Sequence, residues 1–472
     1  MRRILRADFE QMHLLPVAVE DWVGPQHPAR FIREYVASAD LAEMGIVEPN
    51  PEEGGTCYAS DLLLSVWLYG YWRKVRASRK LEEACANDLG FIWLSGNHRP
   101  DHHALWRFWT ANRPALREFF KHTVRVALEL ELVEMVTQVV DGTKILAACS
   151  QWGRHDAEHN QGLVAKIEKV IEELEKQIAA EPAEEPRRVE LTEALSQRQE
   201  LREKVRAAVA QIEAEQRKYV HPQEAEARRM RTPGRNRFAY NAQIMVDGAQ
   251  SVITAAEVVT DENDEQQLCP MMQAAEETTG QTAPQTLADG GYSTAAQLAQ
   301  AAQQSTSTVY TPLKKTTQNA TQEPYHTSQF RWEQEQDVVI CPQGHALKFK
   351  KLRQDKGPAV RIYQDGKVCE QCPVRSQCTS DRHGRSIDVG PHWAQVNVHR
   401  QRMAEPGSAQ KMKRRGAIVE RVFGHIKGHW SFLRWTAKGL TNARAQWDML
   451  CSTWNLTRIF ARWTINGQKL AL

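Results

Sequence analysis

The chain has 472 residues, 42% of them hydrophobic and 25% charged, with a formal net charge of +3. This is ordinary globular composition, and the length suggests two to four domains. No apolar run approaches the length needed to cross a bilayer, so no membrane partner is expected.

The opening stretch, MRRILRADFEQMHLLP, is basic, but acids and a histidine interrupt its apolar residues, so no signal peptide is expected. Residues 1–130 read as a helical domain. From Tyr58 to Ala84 apolar residues recur at helical spacing, together with a basic cluster of Arg73, Lys74, Arg76, Arg79 and Lys80. Asp101 after Pro100 is placed to cap a further helix. Basic helices of this kind suit either DNA binding or packing and dimerisation.

At residues 131–141 the period changes. VEMVTQVVD is apolar and β-branched, as in a buried strand ending at Asp141. Residues 155–232 interrupt the strands. Two helical patterns, broken at AAEPAEEP, carry apolar residues at three-and-four spacing amid dense charge, which predicts an antiparallel helical hairpin of unassigned role. FAYNAQIMVD and SVITAAEVVT then alternate as two strands around DGAQ, with Asp247 as a turn residue. Asp261 and Asp264 are placed to start the next helix, with a metal-facing role for Asp264 as the alternative. TLAD is a short strand ending at Asp289, followed by a helix and by the strand STVYTP.

Three strands in meander followed by two alternating helix–strand units is the ribonuclease-H-like order. The predicted fold is therefore an α/β mixed-sheet core with a helical N-terminal domain, a helical-hairpin insertion and a cysteine-bearing insertion. The predicted domains are 1–130, a first core segment 131–312, an insertion 313–405 and a last core segment 406–472. In this order the first and fourth strands are neighbours, which brings Asp141 and Asp289 together.

Between Arg400 and Arg444 stand eleven Lys or Arg against two acids, interleaved with Phe423, Trp430, Phe432 and Trp435. A basic amphipathic helix there carries Glu420, and a polyanionic partner is expected. Lys427, seven residues on, shares the face of Glu420 if the helix is unbroken. Two strand-end carboxylates and a third from a packed helix can hold two divalent ions for in-line phosphoryl transfer.

Nine cysteines are an odd number, and four of them (Cys341, Cys369, Cys372 and Cys378) fall in one short segment. This fits a reduced cytosolic protein with one thiolate cluster rather than a disulfide scaffold. Four thiolates give a closed zinc site, with His345 as a fifth candidate ligand.

The motifs VVDGTKI, LADGGYS and VERVFGHIKG, with the helical N-terminal block and CPQGH…CEQCPVRSQC, jointly resemble bacterial insertion-sequence transposases of the DDE type. The resemblance implies a catalytic triad of Asp141, Asp289 and Glu420 holding Mg²⁺ or Mn²⁺. It implies Lys427 as the basic residue of the Glu helix; Arg421, Arg414, Arg415 and Lys144, basic residues beside the acidic motifs, are expected as further DNA-binding residues. The implied partners are double-stranded DNA, as transposon terminal inverted repeats and as target, and further copies of the chain in a dimer or higher oligomer. The implied place is the bacterial cytoplasm, at the nucleoid. A nuclease of the same fold that cuts without joining, or a DNA-binding protein derived from a transposase, would carry much the same motifs.

Overall fold

A computed structural model describes residues 18–49, 57–182, 185–313, 324–354 and 358–465. The basic opening segment and most of the polar loop at 314–329 lie outside these. The chain divides into two compact units, Met1–Val126 with Asp448–Leu472, and Ala127–Trp447.

The first unit is helical: α1 (Val19–Trp22), α2 (Pro28–Ser38), α3 (Ser60–Trp72), α4 (Ser78–Asn87), α5 (Leu89–Leu94), α6 (His102–Asn112) and the start of α7 (Ala115–Glu129). α3 is apolar almost all round and is buried from Leu63 to Tyr71, as an apolar surface without a polar face requires. Asp101 caps α6 by accepting from Ala104 N at 2.6 Å, as its sequence context predicts. The end of the C-terminal helix joins this unit, with Phe460 and Trp463 at 5.3 and 5.6 Å from Phe31.

The second unit is built on a six-stranded mixed sheet. Its strands are β1 (Thr137–Leu146), β2 (Arg228–Thr232), β3 (Arg235–Asp247), β4 (Ile253–Val259), β5 (Gln285–Leu287) and β6 (Thr308–Tyr310). The order is β2-β3-β1-β5-β6, with β4 also on β3. β1 pairs antiparallel with β3 and parallel with β5, so the first and fourth predicted strands are neighbours. This is the ribonuclease-H-like arrangement. β2, which the sequence pattern leaves inside the insertion, pairs with β3 as a hairpin around Pro233-Gly234. Asp247 is a buried turn residue, accepting from Met135 N at 3.0 Å and Ala249 N at 2.9 Å.

The predicted hairpin is α8 (Ala157–Ala180) and α9 (Pro186–Ala214), meeting through Ile167, Ile171 and Val205. Helices α10 (Leu268–Thr279) and α11 (Ala295–Gln304) cover one face of the sheet, closing a core of Val140, Met245, Leu268, Met271, Leu298 and Val309.

A second sheet occupies the predicted insertion, in the order β11-β10-β9-β8-β7. Its strands are β7 (Arg331–Glu333), β8 (Val338–Ile340), β9 (Ala346–Arg353), β10 (Val360–Tyr363) and β11 (Ile387–Val389), with short helices α12 (Gly366–Glu370) and α13 (Arg375–Cys378) before β11. Then come α14 (Trp393–Ala404), α15 (Pro406–Phe423), a π-helical turn (Gly424–His429) and α16 (Leu440–Ile465). α15 packs on β1, β5 and β6. No described helix is long and apolar enough to cross a membrane.

Candidate active site

β1 pairs with β3 along most of its length, and therefore does not end at Asp141 as the sequence suggested. Asp141 is mid-strand, at the point where β5 has already turned away. The parallel register sets Val139 against Leu287, and continuing it brings Asp141 level with Asp289, two residues past the end of β5. Burial pushes the Asp141 carboxyl up to about 6 against the pull of Arg415, and the charge of Asp289 adds to the rise. The two carboxylates are thus close enough to repel.

Side chains alternate along a strand, so β1 has two functional faces. Val140 joins the core under α10 and α11. Asp141 points the other way, towards α15, where Arg415 Nη1 meets its Oδ2 at 3.2 Å. Burial lowers the pKa of Lys427, just past α15, and Asp141 opposes that shift, so its charge also stands near this carboxylate.

Behind β1, on the Val140 side, lies Asp264. Its Oδ1 accepts from Gln243 Nε2 at 2.6 Å, Asn241 Nδ2 at 2.7 Å and Lys144 Nζ at 3.2 Å. Asp264 does not cap the following helix, as the sequence suggested; the residue before α10 is Gln267. A methyl group at Gly142 would lie 2.3 Å from Gln243 Nε2 and 2.7 Å from Asp264 Oδ1, and one at Gly291 would lie 3.6 Å from Asp264 Oδ2. Gly142 is therefore held to a glycine by Gln243 and Asp264, whereas at Gly291 the tight neighbour is Asp289 Oδ1, 2.9 Å from the added methyl, and Asp264 is only in ordinary contact. Tyr292 donates to Gln243 Oε1. Its pKa is raised first by burial and then by Asp264, Asp141 and Asp289, all three of which stand around it. The carboxamides of Asn241 and Gln243 left only a weak signal in the sequence: polar residues in a strand otherwise apolar enough to be buried on both sides.

Glu420 stands apart. It is exposed on α15, and its Oε1 lies 3.4 Å from where a methyl on Gly416 would be, one turn back along its own helix. The inward stripe of α15 is Ile418, Val419 and Val422. The π turn from Gly424 also changes the helical phase of the residues beyond it, so the unbroken helical face shared by Glu420 and Lys427 is not formed. Arg414 and Arg421 are exposed. Trp430, Phe432 and Trp435 are 1–2% exposed. They are core residues, not the stacking platform suggested by their place among basic residues; the strand-like pairing of Leu433 and Trp435 with Leu146 holds their loop inward.

Cys341, Cys369, Cys372 and Cys378 are all half-buried free thiols lining one small cavity of about 30 Å³, with His345 also on its wall. Among the described residues, however, no three His, Cys, Asp or Glu side chains converge closely enough to hold a metal ion. This applies both to the cysteines and to the expected carboxylate triad.

Residues 340–460 match the family model described as a transposase DDE domain, and residues 17–111 match the one described as a transposase domain (DUF772). Together the two matches indicate an insertion-sequence DDE transposase. No curated protein and no solved structure gave a match. The DDE match covers Glu420 and the four clustered cysteines of this chain, while Asp141 and Asp289 precede it and rest on the sheet geometry.

Proposed function

We propose that Asp141, Asp289 and Glu420 form a metal-dependent centre that cuts DNA at the ends of a mobile element and joins the freed end to target DNA. The observation that carries this reading is the pair of Asp141, on β1, and Asp289, just past the parallel strand β5, with Arg415 of α15 and Lys427 of the π turn beside Asp141. A half-buried pair of carboxylates close enough to repel suits Mg²⁺ or Mn²⁺. Asp141 and Asp289 would hold the ion, which supplies Lewis-acid polarisation of the phosphate and lowers the pKa of water. Glu420 as third carboxylate rests on its position in the family match, since its side chain stands apart from the pair.

The chain's own cations handle the DNA. Arg415 and Lys427 neutralise the phosphate that undergoes substitution, and Arg414 and Arg421 meet backbone phosphates further out. In the first step a water oxygen bonds to phosphorus and the P–O3′ bond breaks, leaving a 3′-hydroxyl. In the second, that hydroxyl oxygen attacks a target phosphate and displaces the target's own 3′-oxygen. Lys144 acts indirectly, held by Asp264 behind β1. The active complex is a dimer or higher oligomer on DNA.

Asp141→Asn and Asp289→Asn should each reduce cleavage of a plasmid carrying the DNA that flanks the gene by more than about a hundredfold, while duplex affinity stays the same. Full activity in either variant would reject the site. Cleavage without joined products would favour the nuclease reading, and binding without cleavage the derived DNA-binding protein.

The four cysteines are proposed to hold a structural zinc ion. All four line one cavity and can act as thiolate donors of the kind a closed zinc site uses, although as they stand in this structure no three of them converge closely enough to hold the ion.

A further inference from the structure

The second sheet has a charged, exposed strand with no role in the site above. Pairing of β8 with β9 stops at Lys348, and from there β9 is paired only with β10 among the described residues. Every residue from Lys348 to Gln354 is exposed. From Lys348 to Arg361 the sequence carries six Lys or Arg against one acid.

Some of these charges are fixed locally. Arg353 pairs with Asp388 at 2.7 Å, Arg361 with Asp337 at 2.6 Å, and Lys350 donates to Gln364 at 2.5 Å. Lys348 and Lys351 have no acidic partner among the described residues. Phe349 and Leu352 are 40% and 53% exposed on the same strand, with the Arg361 guanidinium 4.6 Å from the Phe349 ring centre.

Lysines on an open strand edge commonly act to keep other strands away. That role accounts for the charge but not for an exposed phenylalanine and leucine beside it, which add the apolar surface such an edge avoids. Cationic and apolar groups interleaved on one projecting strand do suit nucleic acid, where lysines take phosphates and the apolar groups cover sugar. A β-ribbon is also narrow enough to follow a groove of the duplex.

We propose that the exposed stretch of β9, Lys348 to Arg353, is a docking surface for the backbone of double-stranded DNA, separate from the carboxylate site. The proposal rests on the transposase reading, since that reading requires a DNA partner.

The test is binding of the full-length protein to a duplex of arbitrary sequence across a salt series. Removing one lysine–phosphate pair lowers the slope of log affinity against log salt by about 0.9. Lys348→Gln with Lys351→Gln should lower the slope by nearly 2 and weaken binding on the order of tenfold at about 0.1 M salt, with cleavage at saturating DNA unchanged. The control is Lys166→Gln with Lys176→Gln, two exposed lysines of α8. An unchanged slope, or the same loss in the control pair, overturns the proposal. So does self-association of the β9 variant without a change in slope, which would make the lysines edge guards. A wild-type protein with no salt-dependent duplex binding would sink the transposase reading itself; normal wild-type binding with an indifferent β9 variant would sink only this one.

Discussion

The two sheets of residues 127–447 hold their shape by different means. In the first, β3 buries ten consecutive residues from Phe238 to Asp247, and helices close over the strands. In the second, the core is seven buried residues, Phe330 to Trp393, and β9 is exposed beyond Leu347. A densely packed sheet can hold two carboxylates together against their repulsion, because the strands cannot move apart without opening the core. A small sheet with little to bury needs a further tie. The half-buried thiols of Cys341, Cys369 and Cys378 pack against its core, which is where a tie would act.

The largest expected effect separates the sheets on that point. Metal analysis should find one zinc per chain. Stripping it, or Cys369→Ser, should raise amide exchange across residues 330–390 and leave β1 and β3 protected. The loss should be several kcal/mol, since zinc contributes about 10 kcal/mol or more to small zinc domains. Zinc-free protein with unchanged exchange would mean the small apolar core is enough, and the contrast between the sheets would be one of size only.

A smaller effect tests the packing of the first sheet. Gly142→Ala places a methyl group 2.3 Å from Gln243 and 2.7 Å from Asp264, an overpacking cost of about 1–3 kcal/mol. Its consequence for catalysis should exceed its consequence for stability, because the shift falls next to Asp141. Asp264→Asn keeps the shape but removes the charge that holds Lys144. It should slow cleavage about ten- to a hundredfold, as supporting residues around a metal site do, with duplex affinity unchanged. If either variant cleaves like wild type, the crowding behind β1 has no part in positioning the aspartates.

How much of this is legible in the sequence depends on the range of each interaction. The strands, the hairpin and the Asp141–Asp289 neighbourhood are legible because alternation and strand order are local patterns that topology converts into proximity. Asp264 reads as a helix start, wrongly, because its partners Asn241, Gln243 and Lys144 lie on other strands and only the three-dimensional register brings them to it. Trp430, Phe432 and Trp435 read as a DNA platform, wrongly, because basic neighbours in sequence do not reveal which side chains turn inward. The shared face of Glu420 and Lys427 assumes an unbroken helix, which the π turn at Gly424 interrupts without a proline to mark it.

The smallest effect concerns the base of the helical hairpin, where α8 and α9 return to the first sheet. His221 and His155 have ring centres 4.3 Å apart, and both pack on Phe238. Burial pulls His221 down from 6.5 to about 4, helped by the charges of His155 and Lys438. Its Nδ1 accepts from Gln223 N at 3.1 Å, which protonation of that nitrogen would break. Burial also lowers His155. The folded state therefore keeps His221 neutral, while the unfolded chain takes up a proton below about 6.5. The stabilisation is fully present above that pH and is lost as pH falls towards about 4. Denaturation midpoints measured from pH 7.5 down to 5 should fall, and His221→Gln should flatten that fall even if it lowers stability at pH 7.5. An equal pH slope in the variant would show that the junction is held by the helices and not by this ring pair. The first sheet would then extend its rigidity further into the hairpin than its own packing suggests.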